Sequence, residues 1–280
     1  MKTPVLLAFV VALAASAFAA QPPAPAITQV MAFWCNNDFT SCPLGFDPTL
    51  NPIQLADGLL YVPTFWGGQG NANFGGTIAR SSTTGQSLVI HTFASVAGRF
   101  LGGENPVISF QVGPDGNFYG VTENGGLHTF GVFYKLARTG QFQILYNFCS
   151  VSGCPDGPAP LVLANDGNFY GASGTTFFRL TPQGVWSQIG TIDQSGGSLI
   201  HVLQATDGNF YGIAQNFAFR MTPAGQFTLL HQFNYPVFPS SPLIQASDGN
   251  LYGATGASGD GTGIFRLTLD GTLTFIHAMT

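Results

Sequence analysis

The sequence predicts an all-β fold, a β-propeller of about five four-stranded blades, with an N-terminal extra strand available to close the ring. Three observations predict it. A six-residue signature, Asp-Gly-Asn-Phe-Tyr-Gly, recurs along the chain. Asp-Gly turns separate short apolar runs, the strongest local sign of a β-hairpin. Gly (37) and Phe (26) are abundant among 280 residues and only 8% are charged, a profile of short strands and tight turns rather than helices.

The repeat comes first because it decides the fold. Its core is Asp115-Gly116-Asn117-Phe118-Tyr119-Gly120, and it returns unchanged from Asp166 and from Asp207. A fourth copy starts at Asp248 with Leu251 in place of Phe, and a degenerate first copy starts at Asp57. Successive Asp positions lie 58, 51, 41 and 41 residues apart. In the last unit, strands are expected over 242–246, 250–254, 263–268 and 273–277, joined by turns at Asp248-Gly249 and Asp270-Gly271. Four antiparallel strands in a unit of this length make a propeller blade, which must stack on neighbours to bury both faces. The units span about residues 51–93, 106–148, 159–192, 198–233 and 242–278. Residues 27–33 resemble a further fourth strand, one more than the ring needs.

The termini and cysteines set the compartment. Met1-Lys2, an apolar run from Val5 to Ala15 and the small-x-small triplet Ala17-Phe18-Ala19 read as a signal peptide over 1–19. A Pro-rich leader follows over 20–26, and a single domain over 27–280. The apolar run is too short to span a membrane, so no stable membrane insertion is expected after cleavage. No Cys follows the cleavage site, which argues against a lipid anchor. The four cysteines fall in two close pairs, Cys35 with Cys42 and Cys149 with Cys154, each followed by Pro. Four Cys allow three connectivities. Local pairing is favoured because each pair flanks a short loop at an equivalent place in the repeat, with roughly 2–3 kcal/mol per bridge. A four-Cys zinc site is the rival, but the spacings do not match the usual ribbons. The net charge of −5 offers no basic footprint for nucleic acid.

The pattern resembles the Gloeo/Verruco (GloVer) tandem repeat of exported bacterial proteins, over roughly residues 27–278. The typical Gly-Gly loop, the Gly-x-x-Phe-Lys-Leu strand and the closing Gly-to-Phe segment are matched by Gly125-Gly126, by 131–136 and by 140–148. The third and fourth units depart from it by shortening the Gly-Gly loop at Ser173-Gly174-Thr175 and Gln215-Asn216. The resemblance implies a propeller-like fold and export, and no defined activity. Family members often end in an anchoring signal. None is visible before Thr280, so a released or periplasmic protein is expected.

Most residues that look functional belong to the repeat. Asp57, Asp115, Asp166, Asp207 and Asp248 suit tight turns, Asp for side-chain to backbone bonds and the following Gly for positive φ. A calcium loop would need more oxygen ligands and a late Glu, so no metal is assigned. Arg80, Lys135, Arg179, Arg220 and Arg266 each stand five residues before a turn Gly. A ring of them suits an anion, but stems packed along the blades with heads bonded to Asp or carbonyl are favoured. Tyr61, Tyr119, Tyr170, Tyr211 and Tyr252 are expected between blades with their hydroxyls bonded, rather than as a ligand platform. His91, His231 and His277 share one fourth-strand position with Tyr146. Strict alternation puts Phe227, Leu229, His231 and Phe233 on one apolar face, so these His are read as packed; His201 in a first strand is read the same way.

The residues that the units do not share are better candidates for function. The first-unit loop over 65–74 carries Trp66, Asn71 and Asn73, an aromatic anchor with amides. The loop over 123–129 carries Glu123 and His128, types able to do acid–base work. No nucleophile elbow, metal-binding helix, P-loop or dinucleotide fingerprint occurs, so neither a catalytic residue nor a cofactor is assigned. The expectation is a monomeric, secreted or periplasmic, non-catalytic propeller that binds a glycan or protein or serves as a scaffold. The alternative is a propeller lyase or hydrolase with a site on the ring axis. It would draw on the first strands, which offer Gln54, Gln111, Gln204 and Gln245 but few charges. A purely structural repeat with no small ligand is the third reading.

Overall fold

The computed structural model describes Met31, Phe33 and residues 42–48, 52–68, 74–95, 98–106, 109–149, 161–192, 199–214, 216–234, 238–256 and 263–278. They form two compact units, residues 1–107 and 108–280. All regular elements described are strands, and no helix is long and apolar enough to cross a membrane.

The first unit holds one four-stranded antiparallel sheet, blade 1, from Ile53–Gln54, Leu60–Thr64, Phe74–Ser81 and Ser87–Ala94. The second unit holds four more, each with its strands side by side in chain order. Blade 2 is Ser109–Val112, Phe118–Val121, Val132–Leu136 and Phe142–Asn147. Blade 3 is Val162–Leu163, Phe169–Ser173, Thr176–Leu180 and Trp186–Thr191. Blade 4 is Leu199–Gln204, Phe210–Ala214, Phe217–Met221 and Phe227–Gln232. Blade 5 is Ile244–Gln245, Leu251–Gly256, Gly263–Leu267 and Leu273–Ala278.

Three details differ from expectation. The first strand of blade 5 is two residues rather than five. Pro242 has no N–H for the ladder, and the Ser241 hydroxyl instead accepts the Ala254 N–H at 2.8 Å. Blade 5 also gains a short strand, Phe238–Pro239, paired with Leu251–Gly256. Part of the loop expected over 65–74 is strand: Trp66–Gly68 pairs with Cys42–Phe46. The extra strand expected over 27–33 lies outside the described residues, except Met31 and Phe33, neither of which is in a strand. Cys42 and Cys149 are disulfide-bonded; Cys35 and Cys154, their expected partners, lie outside the described residues.

Each blade opens on the same turn. The Asp207 carboxylate accepts the Asn209 N–H at 3.0 Å on one oxygen. Its other oxygen accepts Asn209 Nδ2 at 2.9 Å and the Tyr211 hydroxyl at 2.8 Å. Gly208 between them has φ 83°, a conformation that only Gly adopts freely. Asp115, Asp166 and Asp248 repeat the set, and Asp57 takes the Leu59 N–H and the Tyr61 hydroxyl.

In blades 2, 3 and 4 the tyrosine defines one face, and that face packs on the next blade. Tyr211, Ile213, Ala218 and Phe233 of blade 4 meet Leu243, Leu251, Phe265 and Leu267 of blade 5. Tyr170, Phe177 and Ile192 of blade 3 meet Phe210, Phe219 and Met221 of blade 4. Tyr119, Phe133 and Phe148 of blade 2 meet Phe169, Phe178 and Leu180 of blade 3. These rings are almost wholly buried, each stabilising the stack by about 2–3 kcal/mol.

The fourth strands do not alternate strictly. Phe219 pairs with Leu229 but Ala218 with His231, leaving Leu230 as a β-bulge. The other four blades show the same shift, skipping Ile90, Leu145, Ile189 and Ile276. This corrects the single apolar face expected for Leu229 and His231. The bulge reverses parity, so His231 joins Ala218 and Phe233 on the tyrosine face while Leu229 is on the other side, 39% exposed. In blades 2, 3 and 4 the bulged residue then meets the following blade. Cβ atoms added at Gly184 and Gly271 would lie 2.2 and 3.0 Å from the carbonyl oxygens of Leu145 and Leu230.

First-strand glutamines join blades as well. Gln204 and Gln245 donate to Gly208 O and Gly249 O of their own turns at 3.0 and 2.9 Å. Their carbonyls accept the N–H of Asn165 and Thr206 in the preceding blades at 2.8 and 2.9 Å. Gln54 holds the same register, whereas Gln111 pairs with Tyr119 rather than Phe118 and lies one position off. Gln111 instead bonds forward, to Leu161 O and Leu163 N at 2.5 and 2.6 Å.

Candidate functional site

The repeat positions are largely absorbed by the scaffold. Arg80, Lys135, Arg179, Arg220 and Arg266 are each the cross-strand partner of the repeat Tyr. Lys135 Nζ lies 2.6 Å from Asp115 and 5.8 Å from the centre of the Tyr119 ring. Burial would raise the Asp115 pKa, but the Lys135 ammonium and the Asn117 and Tyr119 bonds outweigh it and hold the carboxyl far below its ordinary range. Arg179 and Arg220 reach the hydroxyls of Ser187 and Thr228 at 3.4 Å. Burial, then the neighbouring carboxylate, pushes Tyr170 and Tyr211 up to about 12.

Two of the histidines pack against rings, whereas His277, expected to be packed like them, is exposed. His91 lies 4.6 Å from Phe93 and His231 4.8 Å from Phe233, both edge to face, and Tyr146 meets Phe148 in the same way. Burial lowers His91 to about 4 and also lowers His201 and His231.

The loops between second and third strands are where the units diverge. Three of them begin with a Thr that pins the loop to the blade. Thr64 Oγ1 lies 3.0 Å from Trp66 O and accepts the Thr77 N–H. Thr122 does the same with Asn124 O and the Val132 N–H, and Thr255 accepts the Gly263 N–H. In blades 3 and 4, whose connections are short, the position is Ser173 and Ala214.

The blade 1 loop is the most elaborately held. Thr77 Oγ1 donates to Leu44 O at 2.7 Å and Phe65 N to Asp47 O at 3.0 Å, fastening the Cys42–Phe46 strand to it. The approach is so close that a Cβ on Gly67 would lie 2.4 Å from the Gly45 α-carbon. Asn105, 3% exposed and at φ 58°, donates its amide to Phe65 O at 2.9 Å. The Phe65 ring stands edge-on to Trp66 at 4.6 Å, and Trp66 is 40% exposed. Beside Asn105, burial raises the pKa of the Glu104 carboxyl. The result is an aromatic surface on a stiff backbone, geometry for holding a ligand. Asn71 and Asn73 lie outside the described residues.

Glu104 and Asn105 were missed from the sequence because they fall between units, where alignment on the repeat compares nothing. Their signal was the scarcity of Glu, which occurs twice in the chain. The structure does not pair the other Glu with its candidate partner. Glu123 and His128 are both exposed, and the one ion pair among the described residues is elsewhere. Their loop is ordered by Leu127 N donating to Asn147 Oδ1 at 2.9 Å, with Leu127 69% exposed at its tip.

Solved structures share this fold. Virginiamycin B lyase from Staphylococcus aureus aligns at TM-score 0.59 and 14% identity, covering 83% of this chain and 72% of the lyase. The extracellular domain of a putative one-component system from Bacteroides thetaiotaomicron aligns at 0.54 and 14%, covering 82% and 28%. A putative gluconolactonase aligns at 0.50 and 16%, covering 84% and 79%. At such identities the likeness shows the fold alone, a β-propeller. No curated protein matches the sequence. The model of the Gloeobacter/Verrucomicrobia repeat matches residues 28–216, and the chain belongs to that family.

Proposed function

We propose that this is an exported, non-catalytic β-propeller that binds a glycan or a protein through the blade 1 loop around Trp66. One observation carries the reading. An exposed indole is held on a backbone pinned by Thr64, Thr77 and Asn105, whereas the repeat tyrosines Tyr61, Tyr119, Tyr170 and Tyr211 are buried. A pre-ordered aromatic contact loses little entropy on binding, which is why such residues dominate recognition surfaces. Export is supported by the N-terminal leader, by disulfide-bonded Cys42 and Cys149 within the expected local pairs Cys35–Cys42 and Cys149–Cys154, and by extracellular domains among the fold's neighbours.

The test is Trp66→Ala in the mature chain, read on a glycan array and in a pull-down from culture medium. Loss of a wild-type signal with an unchanged melting curve supports the reading; an unchanged signal in both assays overturns it. The alternative, a lyase or hydrolase with a site on the ring axis, has a lyase and a putative gluconolactonase among the fold's neighbours. Against it stand His91 and His231, packed on Phe rings and depressed by burial.

A further inference from the structure

We propose a second, independent binding site: a groove of about 470 Å³ on blade 2, lined by Asn117, Lys135, Ala137, Gln141, Phe142 and Gln143, that takes a short oligosaccharide bearing a carboxylate. Such a volume suits a small ligand of one or two sugar rings.

Blade 2 departs from the repeat at three of these positions, and together the departures open the groove. In blades 1, 3, 4 and 5 the turn before the fourth strand carries a hydroxyl residue. Ser82, Thr181, Thr222 and Thr268 accept the N–H of Gln86, Val185, Gln226 and Thr272 at 3.1, 3.2, 3.0 and 2.9 Å. Blade 2 has Ala137 there, so the Gln141 N–H has no such hydroxyl and is free for a ligand. In blades 3 and 4 an Arg spans to a hydroxyl on the fourth strand, Ser187 or Thr228. Blade 2 has Lys135, drawn instead onto Asp115, and Gln143 in the hydroxyl's place. The space that a guanidinium fills elsewhere is left between an ammonium and an amide.

The lining dictates the ligand. Lys135 keeps two N–H donors beyond its Asp115 bond, and Gln141 adds its backbone N–H, a pair suited to a carboxylate. Asp115 repels an anion little, since it already receives Asn117 N, Asn117 Nδ2, Tyr119 Oη and Lys135 Nζ. Arg138, which follows Ala137 in the chain and donates to Gly116 O at 3.3 Å, adds a second positive charge to this turn region. The Gln141 and Gln143 side-chain amides match sugar hydroxyls, and Phe142 offers a ring to the apolar face of a pyranose.

Calorimetric titration with digalacturonate, against cellobiose as the neutral comparator, tests this. The double variant Ala137→Thr/Gln143→Ser installs residues that other blades already carry, so it is expected to melt like the wild type. Expected are saturable digalacturonate binding, at least about tenfold weaker binding of cellobiose, and a loss of about tenfold or more in the double variant. Trp66→Ala is expected to leave this binding unchanged, which separates the groove from the blade 1 loop. The proposal is overturned by no saturable binding up to about 10 mM, by equal binding of cellobiose, by full binding in the double variant, or by loss in Trp66→Ala.

Discussion

Gly225 of blade 4 lies against the carbonyl of Ile189 in blade 3: a Cβ added to it would stand 1.9 Å from that oxygen. Ile189 is the bulged residue of its fourth strand, and Gly225, at φ 88°, closes the turn before the next fourth strand. The joint therefore needs glycine for two reasons, a left-handed backbone and a backbone-to-backbone approach. Gly208 has the first reason without the second, since nothing lies within 4 Å of its Cβ position. Gly225→Ala is expected to cost about 3–4 kcal/mol and Gly208→Ala about 1 kcal/mol. Urea unfolding of both variants checks the difference; equal losses would show that conformation alone sets the requirement.

The glutamine bridges give a local prediction. Gln245→Ala removes the acceptor of the Thr206 N–H and the donor to Gly249 O. A cost of about 1–3 kcal/mol is expected. Amide exchange of Thr206 should accelerate while that of Phe227, inside its own blade, stays slow.

Acid should destabilise the protein in two stages. His91 is neutral in the fold with its pKa lowered to about 4, so the unfolded chain takes up its proton first as pH falls. That contribution is complete above about pH 6.5 and is lost on the way down to about 4. The turn carboxylates Asp166 and Asp207 act below that. Burial alone would raise their pKa values, but bonds from Asn and Tyr lower them, so their contribution persists above about pH 4 and disappears in stronger acid. Melting temperature should be flat above neutrality and fall from about pH 6 downward. His91→Gln should shrink the upper stage without touching the lower one; His201 and His231, also lowered by burial, leave the remainder.

Asn105→Ala should uncover the Phe65 carbonyl and loosen the loop that carries Trp66. About 1–2 kcal/mol of stability should be lost with the buried bond. Indole fluorescence at Trp66 should become more readily quenched by iodide; unchanged quenching would mean that the Thr64 and Leu44 contacts suffice.

The fold was legible because its signals are local and repeated. Asp, Gly and Tyr at fixed offsets report a turn whose bonds lie within five residues, so five copies confirm one another. The bulge left no such mark. Leu229-Leu230 are both aliphatic, and either parity reads as a strand. Gln111 misled in the same way: it shares a strand with the bridging glutamines' counterparts but sits one residue out of register. In the candidate site, Trp66 stood out by residue type. Its support did not, because Leu44, Thr77 and Asn105 come from three separate segments and meet only through backbone carbonyls. The groove on blade 2 was hidden for another reason: it consists of substitutions, visible only once the hydroxyls of the other blades are seen at work.

The contact between bulge and turn glycine bears on how such chains change length. Blades 3 and 4 each carry both halves of the joint, a bulge carbonyl on one face and a turn glycine on the other. Copying one whole unit and placing it beside its parent would supply a matching plug and socket at both new seams. Arrays can therefore gain or lose members by duplication without any redesign of the interface, leaving individual units free to drift towards new ligands.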